Sequence, residues 1–189
     1  MKKILLSLFT FATILNAQAQ KWNLDKNHAK LGFTVTHLVI SEVEGSFKNF
    51  DASITSKSAN DFTDAVFTLT AQVNSINTDN EKRDGHLQSP DFFDAAKFAT
   101  LSFTSTSVKK VKNSDYVITG NLTMHGVTKS VILNAVINTA TNPMSKKPFA
   151  AVIASGKIKR SDFGIGSTFG SSMVGDDITI DAKAEFGVQ

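Results

Sequence analysis

The chain has 189 residues, with 20 Lys and Arg against 17 Asp and Glu, no Cys, and 15 Phe against one Tyr and one Trp. The lack of cysteine excludes disulfides, thiolate metal sites, a cysteine nucleophile and an acylated cysteine anchor. Lys2 and Lys3 sit in an N-terminal leader, and without them 18 basic residues face 17 acidic ones, so the basic pI marks no nucleic-acid footprint.

Met1-Lys2-Lys3, the apolar run 4–15 and Ala17-Gln18-Ala19 form the three parts of a secretory signal peptide. The run has 12 residues, short of the roughly 20 that cross a bilayer. Cleavage is expected after Ala19, leaving residues 20–189 as a single domain in the periplasm or secreted. An uncleaved anchor is the alternative that this length disfavours.

Residues 22–25 are a short first strand. Residues 28–39 place Leu31, Phe33, Val35, His37 and Val39 on one face, the period-two signature of a half-buried strand. In 42–54 the apolar phase changes between Phe47 and Phe50, which predicts a bulge or bend. Residues 56–63 read as a polar loop. Strands are predicted again over 66–76, 100–111, 116–124, 127–139, 149–160 and 177–186, with a Gly- and Ser-rich loop over 164–175. Beyond the opening piece, eight strands alternate. Eight strands form a closed antiparallel barrel able to hold one ligand, and closure removes aggregation-prone edges. An open sandwich stays open as an alternative.

One stretch breaks the pattern. Thr78-Asp79-Asn80-Glu81 fits a capping box, Gly85 weakens the helix interior, and Ser89-Pro90 suits a fresh helix start. Two short helices joined at Gly85 are therefore expected within about 78–98. Phe92, Phe93 and Phe98 would close one end of the barrel or line its entrance. Arg83 and His86 then lie near a ligand headgroup if the mouth is there, and are surface charge if the segment plugs the closed end.

Phe is apolar throughout, whereas buried Tyr and Trp need a polar partner, so the interior is expected to be dry. By composition alone this is a packed core. Gly45, Gly120, Ala71, Ala182 and Ala184 at inward phases leave volume beside the aromatics. The candidate cavity lining is Phe33, Val35, Phe47, Phe67, Leu69, Phe92, Phe93, Phe103, Leu122 and Phe163, with His37, Arg83, His86 and His125 as headgroup candidates. No two histidines have metal-ligand spacing, and no nucleophile elbow occurs. No metal, cofactor or catalytic residue is assigned.

Several blocks resemble the YceI-like, or polyisoprenoid-binding, family of secreted lipid-binding proteins. Early in the chain they are Trp22-x-Leu24-Asp25, His28, Phe33, His37, Gly45 and Phe47. Then come Ser75-Ile76-x-Thr78, Arg83-Asp84-x-His86-Leu87-x-Ser89-x-Asp91-Phe92-Phe93-Asp94 and Lys97-Phe98. Gly120-x-Leu122-Thr123-x-His125-Gly126-Val127-Thr128, Arg160 and Phe163-Gly164 complete them. Ala99, Ala29 and Ser130 depart from the pattern, which bears on turn stiffness more than on a ligand site. The resemblance implies a lipocalin-like barrel and an elongated apolar cavity for a polyisoprenoid, quinone-like lipid or fatty amide, with no catalytic set.

The resulting expectation is a non-enzymatic carrier of a long-chain amphiphile, with transient contact to a membrane or an envelope protein and a homodimer both compatible. The alternatives are an enzyme acting on a lipid or quinone through His37, His86 or His125, and a module that binds a redox or envelope partner with lipid as filler.

Overall fold

A computed structural model describes residues 19–188. The expected leader lies outside the described residues, apart from Ala19. The strands are β1 (Gln20–His37), β2 (Ser41–Phe47), β3 (Phe50–Ser56), β4 (Val66–Gln72), β5 (Ile76–Asn77), β6 (Thr100–Lys112), β7 (Asp115–Met124), β8 (Val127–Thr141), β9 (Pro148–Lys159) and β10 (Val174–Val188). One α-helix, α1 (Glu81–Gln88), interrupts them. All pairings are antiparallel, and β10 closes on β1 from Trp22↔Val188 to His37↔Val174.

The result is a closed barrel of eight strand positions, because two positions are each shared by two pieces. β2 pairs with the C-terminal half of β1 and β3 with its N-terminal end. The expected phase change falls at Lys48-Asn49 between them. The neighbouring position breaks at the same level, where a 3₁₀ turn (Val73–Ser75) separates β4 from β5. The two breaks lock together: the Lys48 amide donates to the Ser75 carbonyl (3.0 Å), the Asn49 amide to Ser75 Oγ (3.0 Å), and the Gln72 amide to the Asn49 carbonyl (2.9 Å). Residues lost from the ladder are thus satisfied locally, as buried backbone must be.

The short first strand and the strand expected after it are one element. β1 runs through an insertion between Asp25↔Glu185 and Ala29↔Ala184, which loops out 26–28 without ending the pairing. In β7 the alternation is complete, with Tyr116, Ile118, Gly120, Leu122 and Met124 all buried.

The helical expectation needs correction. The helix is single, and Gly85 sits inside it. Its N-cap is Asn80, whose side chain accepts from the Arg83 amide (3.0 Å). Thr78 is unavailable for capping because it is buried against Asp84: its amide and hydroxyl both donate to Asp84 Oδ1 (2.8 and 2.6 Å). After Ser89 the chain runs through successive turns, with Asp94 at φ 47°. A second helix would point adjacent residues about 100° apart, whereas here Phe92 and Phe93 both face the interior.

The interior is divided along its length. At the end holding the N-terminus of β1, Trp22, Ile54, Phe62, Phe67, Tyr116 and Phe186 fill the barrel. Phe62 comes from the loop expected to be polar and packs on Trp22 (5.5 Å between centroids) and Phe67 (6.3 Å). Trp22 Nε1 donates to Ser56 Oγ (2.9 Å), so the one indole has its partner inside. This plug closes one end of the barrel.

Candidate functional site

The other half of the barrel is hollow. A cavity lies beyond the plug, with about 1070 Å³ of empty space when its open side is included. β1 and β10 form one wall through Leu31, Phe33, Val35, Ile178, Ile180 and Ala182, and β6, β7 and β8 the facing wall through Leu101, Phe103, Leu122, Met124, Val131 and Leu133. Phe33, Phe103 and Ile180 remain only half-buried although they face inward, because they border empty space.

Glycines set the wall shape at two points. Phe33 lies across its partner Gly45, where an added Cβ would come within 2.3 Å of the ring. Phe103 lies in the same way over Gly120, at 2.4 Å.

A lid covers the hollow end. Leu87 from α1, Phe92 and Phe93 from the turns, and Ile165 from the loop after β9 face the cavity. Phe92 stacks on Phe169 (4.9 Å, 16°), and the edge of His86 meets both rings. The two lid segments are thereby pinned to each other. β2 pairs with β5 only at Ser46↔Asn77 and Phe47↔Ile76, so residues 41–45 form a free edge beside the lid.

Among the described residues, Arg160 is the one charged side chain in the cavity wall, and it is 6% exposed. Its Nε donates to the Gly175 carbonyl (3.1 Å), one terminal nitrogen to the carbonyls of Ile165 (3.0 Å) and Gly166 (2.6 Å), and the other to those of Phe169 (2.6 Å) and Val174 (2.9 Å). Five N–H groups therefore meet five main-chain carbonyls, and the guanidinium fork is saturated. Next to it, burial works against the Asp176 carboxylate. The hydroxyl and amide of Ser161, at 2.9 and 3.0 Å, outweigh this and hold its pKa below the usual value, with help from Lys159 and Arg160.

Of the ten expected lining residues, the cavity brings together Phe33, Val35, Phe47, Leu69, Phe92, Phe93, Phe103 and Leu122. Phe67 instead belongs to the plug. Phe163 is fully buried behind the wall rather than on it. Phe98 turns away from the cavity onto the β7–β8 turn, edge-on to His125 (4.8 Å).

None of the four headgroup candidates lines the cavity. His37 ends β1 and is exposed, because the pairing with β10 slips between Val35 and His37 and the strand leaves the barrel phase. Arg83 bends back to Thr78, Nε to its hydroxyl and a terminal nitrogen to its carbonyl (both 2.7 Å). His86 lies on the outer side of the lid with Nε2 at 3.1 Å from Asp91. His125, at φ 51°, donates from Nδ1 to the Phe163 carbonyl (3.0 Å). Arg83, His86 and His125 thus make local contacts outside the cavity. Arg160 and the β10 lining were missed. The β10 alternation of Ile178, Ile180 and Ala182 signalled the latter, whereas nothing local reveals where an Arg finds five carbonyls.

Among the described residues, one cluster of potential metal ligands occurs, Asp25, His28 and Glu185, on the β1 insertion outside the cavity. The Asp25 hydrogen bond (2.9 Å) raises the His28 pKa, aided by the charges of Asp25 and Glu185, and the same bond with the Asn27 amide lowers that of Asp25.

Residues 22–186 match the family described as the YceI-like domain. The chain is 42% identical over 177 residues to Protein YceI of Salmonella agona, covering 90% of this chain and 91% of the relative. The crystal structure of a Campylobacter jejuni YceI protein is similar with a TM-score of 0.73 at 34% identity, over 82% of this chain and 90% of that one. A polyisoprenoid binding domain from Saccharophagus degradans shares the fold, with a TM-score of 0.63 at 14% identity over 91% and 100% of the two chains.

Proposed function

We propose, for a chain that belongs to the YceI-like domain family, that this binding protein is a non-enzymatic carrier of a long-chain amphiphile, a polyisoprenoid, quinone-like lipid or fatty amide, working in the periplasm or as a secreted protein. The observation that carries the reading is the cavity: closed at one end by the Trp22–Phe62 plug, lidded at the other, and walled by apolar side chains except at Arg160. Arg160 has no N–H left for a ligand, so the walls recognise length and shape, not a polar group. The name of the Saccharophagus domain supports an isoprenoid among the three chemistries.

Burying a hydrocarbon is worth about 0.8 kcal/mol per CH₂ relative to water, so one isoprenoid unit gains roughly 4 kcal/mol. The working alternative for such a lipid is a bilayer, which is equally apolar. The net preference for the cavity is small, which suits loading and unloading more than permanent storage.

Native mass spectrometry of protein purified from its own host, followed by solvent extraction, tests the reading. A co-purified lipid, or uptake of added polyprenyl alcohol or fatty amide, is expected. Protein that arrives empty and takes up none of these refutes it. The enzyme alternative loses its basis, since no histidine lines the cavity. Turnover of a lipid that His37→Ala, His86→Ala or His125→Ala abolishes would restore it.

A further inference from the structure

We propose that the β1–β2 turn, together with Met173, forms an apolar finger that inserts into a lipid bilayer surface and sets the cavity beside it. Leu38, Val39 and Ile40 are 51%, 68% and 89% exposed, and Met173 is 50% exposed. They form one tip, because the Leu38 amide donates to the Met173 carbonyl (3.0 Å). Three large aliphatic residues in a row at the end of a hairpin are thus each left more than half exposed.

The backbone sharpens the point. The Ile40 amide donates to the His37 carbonyl (3.3 Å) across a turn whose central residues, Leu38 and Val39, have φ of 50° and 67°. A hairpin turn with two positive φ values ordinarily takes Asn-Gly or Gly-Gly, and a β-branched residue there is a true outlier. Strained positions of this kind concentrate at functional sites. Here the turn holds a conformation unfavourable for Leu and Val while presenting their side chains to the outside.

Two further observations choose the occupant. The tip amounts to four side chains, far fewer than the roughly 20–30 residues a side of a stable protein interface. It matches the shallow insertion, about 5–10 Å, of apolar groups into the headgroup boundary. The tip is also continuous with the cavity: Val35 and Val174, three residues before Leu38 and one beyond Met173, line the hollow. A bilayer engaged by the finger would therefore meet the free edge of β2 and the lid. No Lys or Arg occurs in residues 36–43 or 170–175, and the one acid there is Glu42, so the attraction to a bilayer is expected to be hydrophobic and not to weaken as salt is added. The purpose of the finger rests on the lipid-carrier reading, whereas its binding does not.

The chain has no cysteine, so a single Ile40→Cys carries an environment-sensitive dye cleanly. Its control is Met144→Cys, equally exposed at 89% and on the β8–β9 turn at the plugged end. With vesicles of phosphatidylcholine, or of equal phosphatidylethanolamine and phosphatidylglycerol, the dye at 40 is expected to shift to the blue and the dye at 144 to stay unchanged. Val39→Ser with Ile40→Ser is expected to weaken co-sedimentation with both vesicles by at least about tenfold, as loss of several buried methylenes implies. Leu38→Asn with Val39→Gly relieves the backbone, so it should melt no lower than the unmodified protein and still lose vesicle binding. No shift at 40, an equal shift at 144, or a dimer in light scattering that the Ser variant dissolves would overturn the proposal. Cavity loading is read separately, with a fluorescent fatty probe and no vesicles. Tip variants should load normally. A protein that loads nothing refutes the carrier reading while the vesicle result still judges the finger.

Discussion

Arg160 holds together a loop that is otherwise Gly, Ser and Thr with a few apolar residues. Its five bonds reach carbonyls from Ile165 to Gly175, and a lysine ammonium has only three donors at one point. Arg160→Lys and Arg160→Met are therefore both expected to lose about 3 kcal/mol or more, since hydrogen bonds to a charged group are worth about 1.5–3 kcal/mol each. Limited proteolysis should show cleavage within 164–173 in both variants and not in the unmodified protein. Gly45 is a second such residue. A side chain there displaces the Phe33 ring, so Gly45→Val should reduce uptake of a long-chain probe with the fold retained, as read by probe titration beside circular dichroism. The His28–Asp25 pair works on the surface. The raised His28 pKa makes its contribution full below about pH 6.5, and it is lost as pH rises through the raised folded value. Asp25, lowered, contributes above about pH 3.9 and loses it as pH falls through its folded value. Proton NMR should place the His28 midpoint above 6.5, and Asp25→Asn should return it toward the ordinary value.

At the level of elements, the strands were readable wherever one face meets the interior and the other meets water, as in β7. The bend between β2 and β3 was readable for the same reason, as a change of apolar phase. The helix start was not. Thr78 and Asn80 are both good caps, and the choice fell to Asn80 because Asp84 draws Thr78 inside. Within α1, Gly85 meets nothing within 4 Å of an added Cβ. Gly85→Ala is therefore expected to stabilise the protein by about 0.5–1 kcal/mol, measured by urea denaturation, without changing ligand uptake. The loop carrying Phe62 reads as polar, yet that ring is part of the plug. Phe62→Ala should cost about 3–5 kcal/mol, and it should leave the lid half of the barrel folded around its cavity by amide exchange.

Taken whole, the barrel is stabilised at one end by close packing and left hollow at the other, and on the lipid-carrier proposal the ligand would supply the contacts that the hollow half lacks. A lipid present at about 100 times its dissociation constant adds about 2.7 kcal/mol. For a chain of this size that corresponds to a rise in melting temperature of about 5–10 °C. Calorimetry of solvent-extracted and reloaded protein should show that difference, and no change on reloading would refute an ordered occupant. The sequence by itself determined an all-β chain, its eight alternating strand positions, its Phe-rich interior and eight residues of the cavity wall, because these follow from period-two burial and composition. Only the tertiary structure decided which end is plugged, that Phe67 belongs to the plug, that no histidine lines the cavity, that Arg160 is saturated by carbonyls, and that Leu38 and Val39 form a strained exposed turn. Each of these depends on which residues distant in the chain meet across the barrel, and local pattern carries no such information.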